Sequence, residues 1–268
     1  MYRSSSKLDK TFKLITFDAM NTLIHFRESV GAVYSKFGRS QGFSLLETEI
    51  VEKSFFKIYK RYSSNFPCFG NGKNLSTRMS HRKWWTDVVK LTFLDAQDSI
   101  LNSDDYASKN VQIFDADSPQ LAKTANFLYN YFETLDPWIL DKHAKSILQY
   151  LRSKHYILGV VSNYDSRLRK ILHQYELSHY FSIVVLSGEI GYEKPHGKIF
   201  DFARQSASIA DAERCLHVGD HVTKDYLGAR QAGWEVFLIR YVNSLADNDD
   251  RVDKNHILEN LGELKNFL

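Results

Sequence analysis

The chain has 268 residues, of which 13 are Gly and 4 Pro, too few for a collagen-like, disordered or linker-rich polypeptide. Hydrophobic residues at 43% and charged residues at 25% are globular values, and a chain of this length buries roughly 75% of its unfolded surface without staples. A net charge of +3 gives no global case for a nucleic-acid or membrane partner.

No apolar run approaches the ~18 residues needed to span a bilayer, so a soluble protein is expected. The start, Met1 to Lys10, is polar and carries Ser4, Ser5, Ser6 and Asp9, without the apolar region of a secretory signal. Cys68 and Cys215 form no CxxC pair, which points to free thiols in a reducing compartment. The expected location is the cytoplasm; the Ser/Arg/Lys start leaves a mitochondrial presequence as the alternative.

In chain order, Phe12–Asp18 reads as a buried strand. A long glycine-free stretch between Gly72 and Gly159 carries helical stripes: Val51, Phe55, Ile58 and Tyr62 precede it, and Trp84, Val88 and Leu91 lie within it. Leu121, Ala125, Leu128, Phe132 and Leu135 form the clearest stripe, after Ser118 as N-cap and Pro119 at the first helical position. Asp141–Leu151 reads as a core helix with Ala144, Ile147, Leu148 and Leu151 inward. Four further strands follow at Tyr156–Asn163, Phe181–Ser187, Cys215–Asp220 and Glu235–Arg240. Short β-rich apolar runs alternating with helical patterns predict an α/β fold, a doubly wound parallel sheet covered on both faces. The gap after the first strand is far too long for one crossover helix, so a mostly helical domain is inserted there. The expected division is 28–134 for the insert and 11–27 with 135–268 for the core.

In an open α/β sheet, ligands bind outside the carboxyl ends of the strands. The residues at which the apolar runs stop are Asp18, Ser162-Asn163, Lys194 in GYEKP, and Gly219-Asp220 with Asp225 in a GDxxxxD pattern. This set suits phosphoryl transfer. Asp18 can serve as a carboxylate nucleophile, two or three carboxylates can hold Mg²⁺, and Ser162 and Lys194 can bind phosphate oxygens and offset their charge. Each of these residues has a bland reading as a cap or a solvated group; together, in this order, they favour a site.

FDAMNTL, VVSN, GYEKP and HVGD with Asp225 resemble the four signature motifs of the haloacid dehalogenase superfamily, and the helical insert resembles its C1-type cap. SVGAVYSKFG, FPCFG and RKWWTDVV extend the resemblance to the eukaryotic group called haloacid dehalogenase-like hydrolase domain-containing protein 3. The resemblance implies a Rossmann-like core. It makes Asp18 the nucleophile and a metal ligand, and Ser162, Asn163, Lys194 and Thr22 the phosphate contacts. Asp220, Asp225 and the backbone carbonyl of Met20 complete a Mg²⁺ site, with Asp225 in an orienting role. Phosphatases of the superfamily read DxDxT, the second Asp being the general acid and base; here it is Met20, whose thioether carries no exchangeable proton. Four readings stay open: a phosphohydrolase with an altered, weakened proton-transfer step that borrows an acid from the cap or the substrate and acts on a small phosphorylated metabolite, a catalytically silent fold that binds a protein partner, a metal-independent haloacid dehalogenase, which also lacks the second Asp, and a phosphotransferase or another chemistry.

Other signals are set aside. Arg78–Trp85 mixes cations and aromatics but shares the Trp84 stripe, so it is expected to pack the insert, not to bind nucleic acid. Gly70-Asn71-Gly72-Lys73 lacks the spacing of a phosphate loop. His217 and His221 flank a strand end and point differently, which favours structural roles. His196 begins a helix or contacts substrate, and Asp247–Asp250 reads as a solvated acidic loop.

Overall fold

All five expected strands form, each trimmed at one or both ends: β1 Leu14–Phe17, β4 Ile157–Ser162, β5 Ile183–Leu186, β6 Cys215–Gly219 and β7 Glu235–Ile239. They are seen in a computed structural model that describes residues 12–43, 46–102, 113–240 and 249–268. Two short strands near the insert, β2 Ile24–Phe26 and β3 Trp138–Leu140, pair with each other, and β8 Ile257–Leu258 adds a sixth strand to the main sheet.

The main sheet is parallel, in the order β5-β4-β1-β6-β7-β8. Counted along the chain, this is the doubly wound order 3-2-1-4-5-6, which places the topological switch point between β1 and β6. Phe17 is in register with Val160 of β4 on one side and Val218 of β6 on the other. All four β1 residues are buried, as expected of a central strand covered on both faces. The amphipathic helix Ala144–Ser153 turns Ala144, Ile147, Leu148 and Leu151 inward. Gly159 keeps β4 flat against its neighbour: a Cβ there would lie 2.5 Å from Ile183 Cγ1 and 3.2 Å from Thr16 Cγ2.

The chain divides into two compact units, one made of the described residues through His25 together with Trp138–Leu268, the other Phe26–Pro137. The second unit holds helices Val30–Ser40, Thr48–Asn65, His81–Leu101 and Pro119–Tyr131. Ser29, Ser80 and Ser118 cap three of them through their hydroxyls, accepting from Ala32, Lys83 and Leu121 N–H. The interior of this unit is aromatic. Trp84 is fully buried, meets Tyr59, Tyr62 and Phe69 edge-on, and donates its Nε1–H to Phe66 O at 2.9 Å.

The inward face of helix His81–Leu101 differs from the expected stripe. It runs through Trp84, Val88, Thr92, Phe93 and Ala96, while Leu91 is only half-buried. Thr92 enters the interior because its hydroxyl donates to Val88 O at 2.7 Å, so a residue scored as polar keeps no unmet group. Leu135 likewise lies beyond the end of its helix and is half-buried. Two cations of Arg78–Trp85 are engaged within the unit: Arg82 lies 4.1 Å over the Tyr129 ring and donates to Asn130, and Lys83 pairs with Asp87. The turn at Gly70 is built on φ 84°, with Met79 packed where a side chain would go. Both cysteines are free and buried. Among the described residues no helix is long and apolar enough to cross a membrane. The expectations for the tail up to Lys10 and for Asp247 and Asn248 fall outside the described residues; Asp249, from the same acidic run, chelates Arg251.

Gly159→Ala should destabilise the protein by about 1–3 kcal/mol, the usual cost of overpacking a core. The measurement is the shift in the urea unfolding midpoint at constant slope.

Candidate active site

The switch point sets the ends of β1 and β6 side by side. Asp18 follows β1, and its N–H extends the ladder to Val218 O at 2.8 Å. The chain then folds over in a turn closed by the Leu23 and Ile24 N–H groups, both on Ala19 O at 2.9 Å. Asn21 sits at φ 55°, in the left-handed region that Asn tolerates better than most residues, and its side chain donates to Asp220 Oδ2 at 3.3 Å. The hydrogen bonds closing this turn end on Ala19 O and Ile24 O and leave the Met20 carbonyl out.

Asp220 directly follows β6. Asp225 arrives on a π-helical turn, Val222–Leu227, in which Tyr226 N–H reaches back to His221 O. Such wide turns are frequent at functional sites. Here the turn brings the Asp225 side chain back over Gly219, where any Cβ would run into Asp225 Cγ. Carboxylate oxygens of Asp18, Asp220 and Asp225 all lie within 4.8 Å of one another.

Lys194 ties these acids together. Its Nζ lies 2.8 Å from Asp18 Oδ1, an ion pair not aligned as a hydrogen bond, and 2.5 Å from Asp225 Oδ1. Only 2% of Lys194 is exposed. Burial alone would push the ammonium's pKa down, but the Asp18 and Asp225 charges overcome it and hold the group above its ordinary value. Asp225 behaves in mirror image: burial would raise its carboxyl, and Lys194 and His217 hold it far below the usual range instead.

His217, expected to be merely structural, is part of this arrangement. It is fully buried in β6, with Nε2 3.0 Å from Asp225 Oδ1 and Nδ1 2.9 Å from Thr16 Oγ1. An ionised Asp225 can only accept, so Nε2 carries the proton and Nδ1 accepts from the Thr16 hydroxyl. Burial lowers the His217 pKa, in keeping with a neutral ring. The signal available in the sequence was a histidine in the middle of the apolar run CLHVG.

Asn163, expected among the phosphate contacts, has another task. Its Nδ2 donates to Lys194 O at 2.9 Å and its Oδ1 accepts from Lys194 N–H at 2.7 Å, so it clamps the backbone that carries the ammonium. Ser162 ends β4 and is 1% exposed. Thr22 Oγ1 is buried with no hydrogen-bond partner, an orphan that an oxyanion ligand would satisfy. His196 is exposed, and its Nδ1 caps helix Gly197–Ser206 by accepting from Lys198 N–H. His221 does the same for the π-helical turn, accepting from Thr223 and Lys224 N–H.

Three carboxylates faced by one lysine leave the site short of positive charge. Asp220 registers the imbalance: burial and the neighbouring Asp18 and Asp225 charges push its pKa up to about 7. Clustered hard oxygen donors with surplus negative charge fit a divalent cation such as Mg²⁺. Asp18, Asp220 and Asp225 each offer a carboxylate oxygen that could hold it. Both oxygens of Asp225 already accept hydrogen bonds, Oδ1 from Lys194 and His217 and Oδ2 from His221 N–H.

A parallel sheet of this order, with acids and a buried lysine at its switch point, is the frame of the Rossmann-like α/β proteins. The chain belongs to the haloacid dehalogenase-like hydrolases, whose family pattern it matches over residues 12–233. It is 33% identical over 253 residues to the mouse protein called haloacid dehalogenase-like hydrolase domain-containing protein 3, a match covering 94% of this chain and 92% of the mouse one. Solved structures share the fold. A 2-haloacid dehalogenase from Pseudomonas syringae superposes with TM-score 0.61 at 21% identity, covering 95% of this chain and 96% of that one. The magnesium-bound HAD-family protein YfnB from Bacillus subtilis superposes with TM-score 0.64 at 18% identity, covering 95% and 97%.

Cation binding should be pH-dependent through Asp220. Below its pKa of about 7 the carboxyl is protonated and must release a proton to bind, so Mg²⁺ affinity should weaken by about tenfold per pH unit below that point and level off above it. Calorimetric titration between pH 5.5 and 8.5 reads this directly, and Asp220→Asn should both weaken binding and flatten the profile.

Proposed function

We propose that the chain is a Mg²⁺-dependent phosphohydrolase that works through an aspartyl-phosphate on Asp18 and is slowed at proton transfer by Met20. The observation that carries this reading is the Lys194 ammonium, buried between Asp18 and Asp225 beside a third carboxylate. A nucleophilic carboxylate needs its charge offset before it can approach a phosphate dianion, and Lys194 does so at Asp18 Oδ1. Asn163 fixes the lysine backbone, while Asp225, held by His217, fixes its ammonium. The Ser162 and Thr22 hydroxyls supply donors for phosphate oxygens. Mg²⁺, when bound, supplies Lewis-acid charge to the transferring group.

The surplus of carboxylates supports this reading over a metal-independent dehalogenase, which gains nothing from a third acid. The substrate class is a small phosphorylated metabolite. Two free, buried cysteines favour a reducing compartment, and we place the reaction in the cytoplasm. Met20 supports the second reading, a silent fold that binds a protein partner, because loss of a general acid/base costs 10²–10⁴-fold, roughly 3–5 kcal/mol of barrier.

Without a proton donor at position 20, rates should depend steeply on leaving-group acidity: aryl and acyl phosphates turn over, and sugar phosphates do not. Met20→Asp should raise phosphatase activity by roughly 10- to 10³-fold. An unchanged rate across a broad substrate panel, with Mg²⁺ still bound, would establish the binding-protein reading instead.

A further inference from the structure

Helix Pro119–Tyr131 buries Leu121, Ala125 and Leu128, yet it keeps one large apolar side chain outside that stripe: Phe127 is 51% exposed. Its ring centroid lies 4.8 Å from that of Phe37 on helix Val30–Ser40, and Phe37 also meets Tyr131 at 4.9 Å. Beside this contact is a cavity of about 180 Å³, lined by Phe37, Ser40, Gln41, Lys123, Thr124 and Phe127. Phe37, Ser40 and Gln41 stand three and four residues apart, and Lys123 stands four before Phe127, so each helix contributes one face. All six residues belong to the Phe26–Pro137 unit, and none is a member of the acid and lysine cluster of the core.

The walls make few polar demands. The Thr124 hydroxyl donates to Gln120 O at 2.9 Å and the Ser40 hydroxyl to Phe37 O at 2.7 Å. Lys123 differs. Its side chain is exposed, and among the described contacts no carboxylate pairs with it. The positions three and four residues away on its own helix are Pro119, Gln120, Asn126 and Phe127, so no acid is set to face it there. An apolar cavity of about 150 Å³ is enough for a benzene ring, and aromatic walls hold an aromatic guest through offset and edge contacts. A long acyl chain would outgrow this space, and a phosphate group would meet a single cation.

We propose that this cavity is a binding site for a small planar aromatic carboxylate, its ring against Phe37 and Phe127 and its carboxylate on the Lys123 ammonium. The inference is independent of the chemistry assigned to Asp18.

The test titrates the full chain with phenylacetate, neutral phenylacetamide and acetate, and follows backbone amide chemical shifts. Phenylacetate should give saturable shifts centred on residues 37–41 and 123–127, with a Kd on the order of 0.1–1 mM for a ligand of this size. Phenylacetamide should bind about two- to fivefold more weakly, the worth of an exposed ion pair, and acetate should not bind. Lys123→Gln should bring phenylacetate to the level of the amide. Phe127→Ala should weaken it by about tenfold or more, while Phe127→Tyr keeps it. Both side chains are exposed, and an otherwise unchanged amide spectrum shows that each variant is folded. Shifts that do not saturate by about 10 mM, shifts centred elsewhere, or equal affinity in Phe127→Ala would overturn the site. Equal binding of acid and amide would overturn the carboxylate as the group recognised.

Discussion

The ammonium of Lys194, buried between Asp18 and Asp225, is the interaction on which the rest of the site depends. Without it, adjoining carboxylates would sit almost out of water with no countercharge, and removing one partner from a buried ion pair typically costs about 3–5 kcal/mol. The fold invests several features in keeping it placed. Asn163 grips the lysine main chain from the end of β4, His217 holds Asp225 from within β6 and is itself fixed by Thr16 of β1, and Gly219 leaves room for the Asp225 side chain. Three adjacent strands of one sheet thus converge on a single nitrogen.

That convergence explains why the chemistry outruns the charge available. One lysine cannot neutralise three acids, and the excess appears at Asp220, the acid that Lys194 does not touch in the described contacts. Asp220 is therefore the acid whose protonation registers the surplus charge, whereas Asp225, saturated with hydrogen bonds, belongs to the lysine. The two acids of the GDxxxxD segment have separate employments although they lie five residues apart.

Much of this was legible in the sequence because a parallel sheet projects its strand ends along one edge, so the residues at which apolar runs stop are neighbours whatever the loops do. Asp18, Ser162, Lys194 and Asp220 could be read in that way. What was not legible came from pairings between distant residues. Nothing in VVSN announces that Asn163 holds a backbone 31 residues away, and nothing in CLHVG reveals that its histidine faces Asp225 and not the apolar interior. β2, β3 and β8, at two or three residues each, are too short to carry a period. The Trp84 helix misled because Thr92, polar by type, is satisfied by its own backbone.

The position of β1 also bears on when the protein becomes competent during synthesis. This strand comes early in the chain and leads into Asp18, yet it lies in the middle of the sheet, paired on one side with β4 and on the other with β6. The contact from Thr16 to His217 spans 201 residues, a separation whose loop-closure entropy makes such pairings slow to form. A growing chain therefore holds Asp18 for most of translation without the lysine, the histidine and the other acids that it meets in the fold. The edge assembles only once β6 and Asp225 have been made, and a chain cut short before Cys215 lacks His217, Asp220 and Asp225 together.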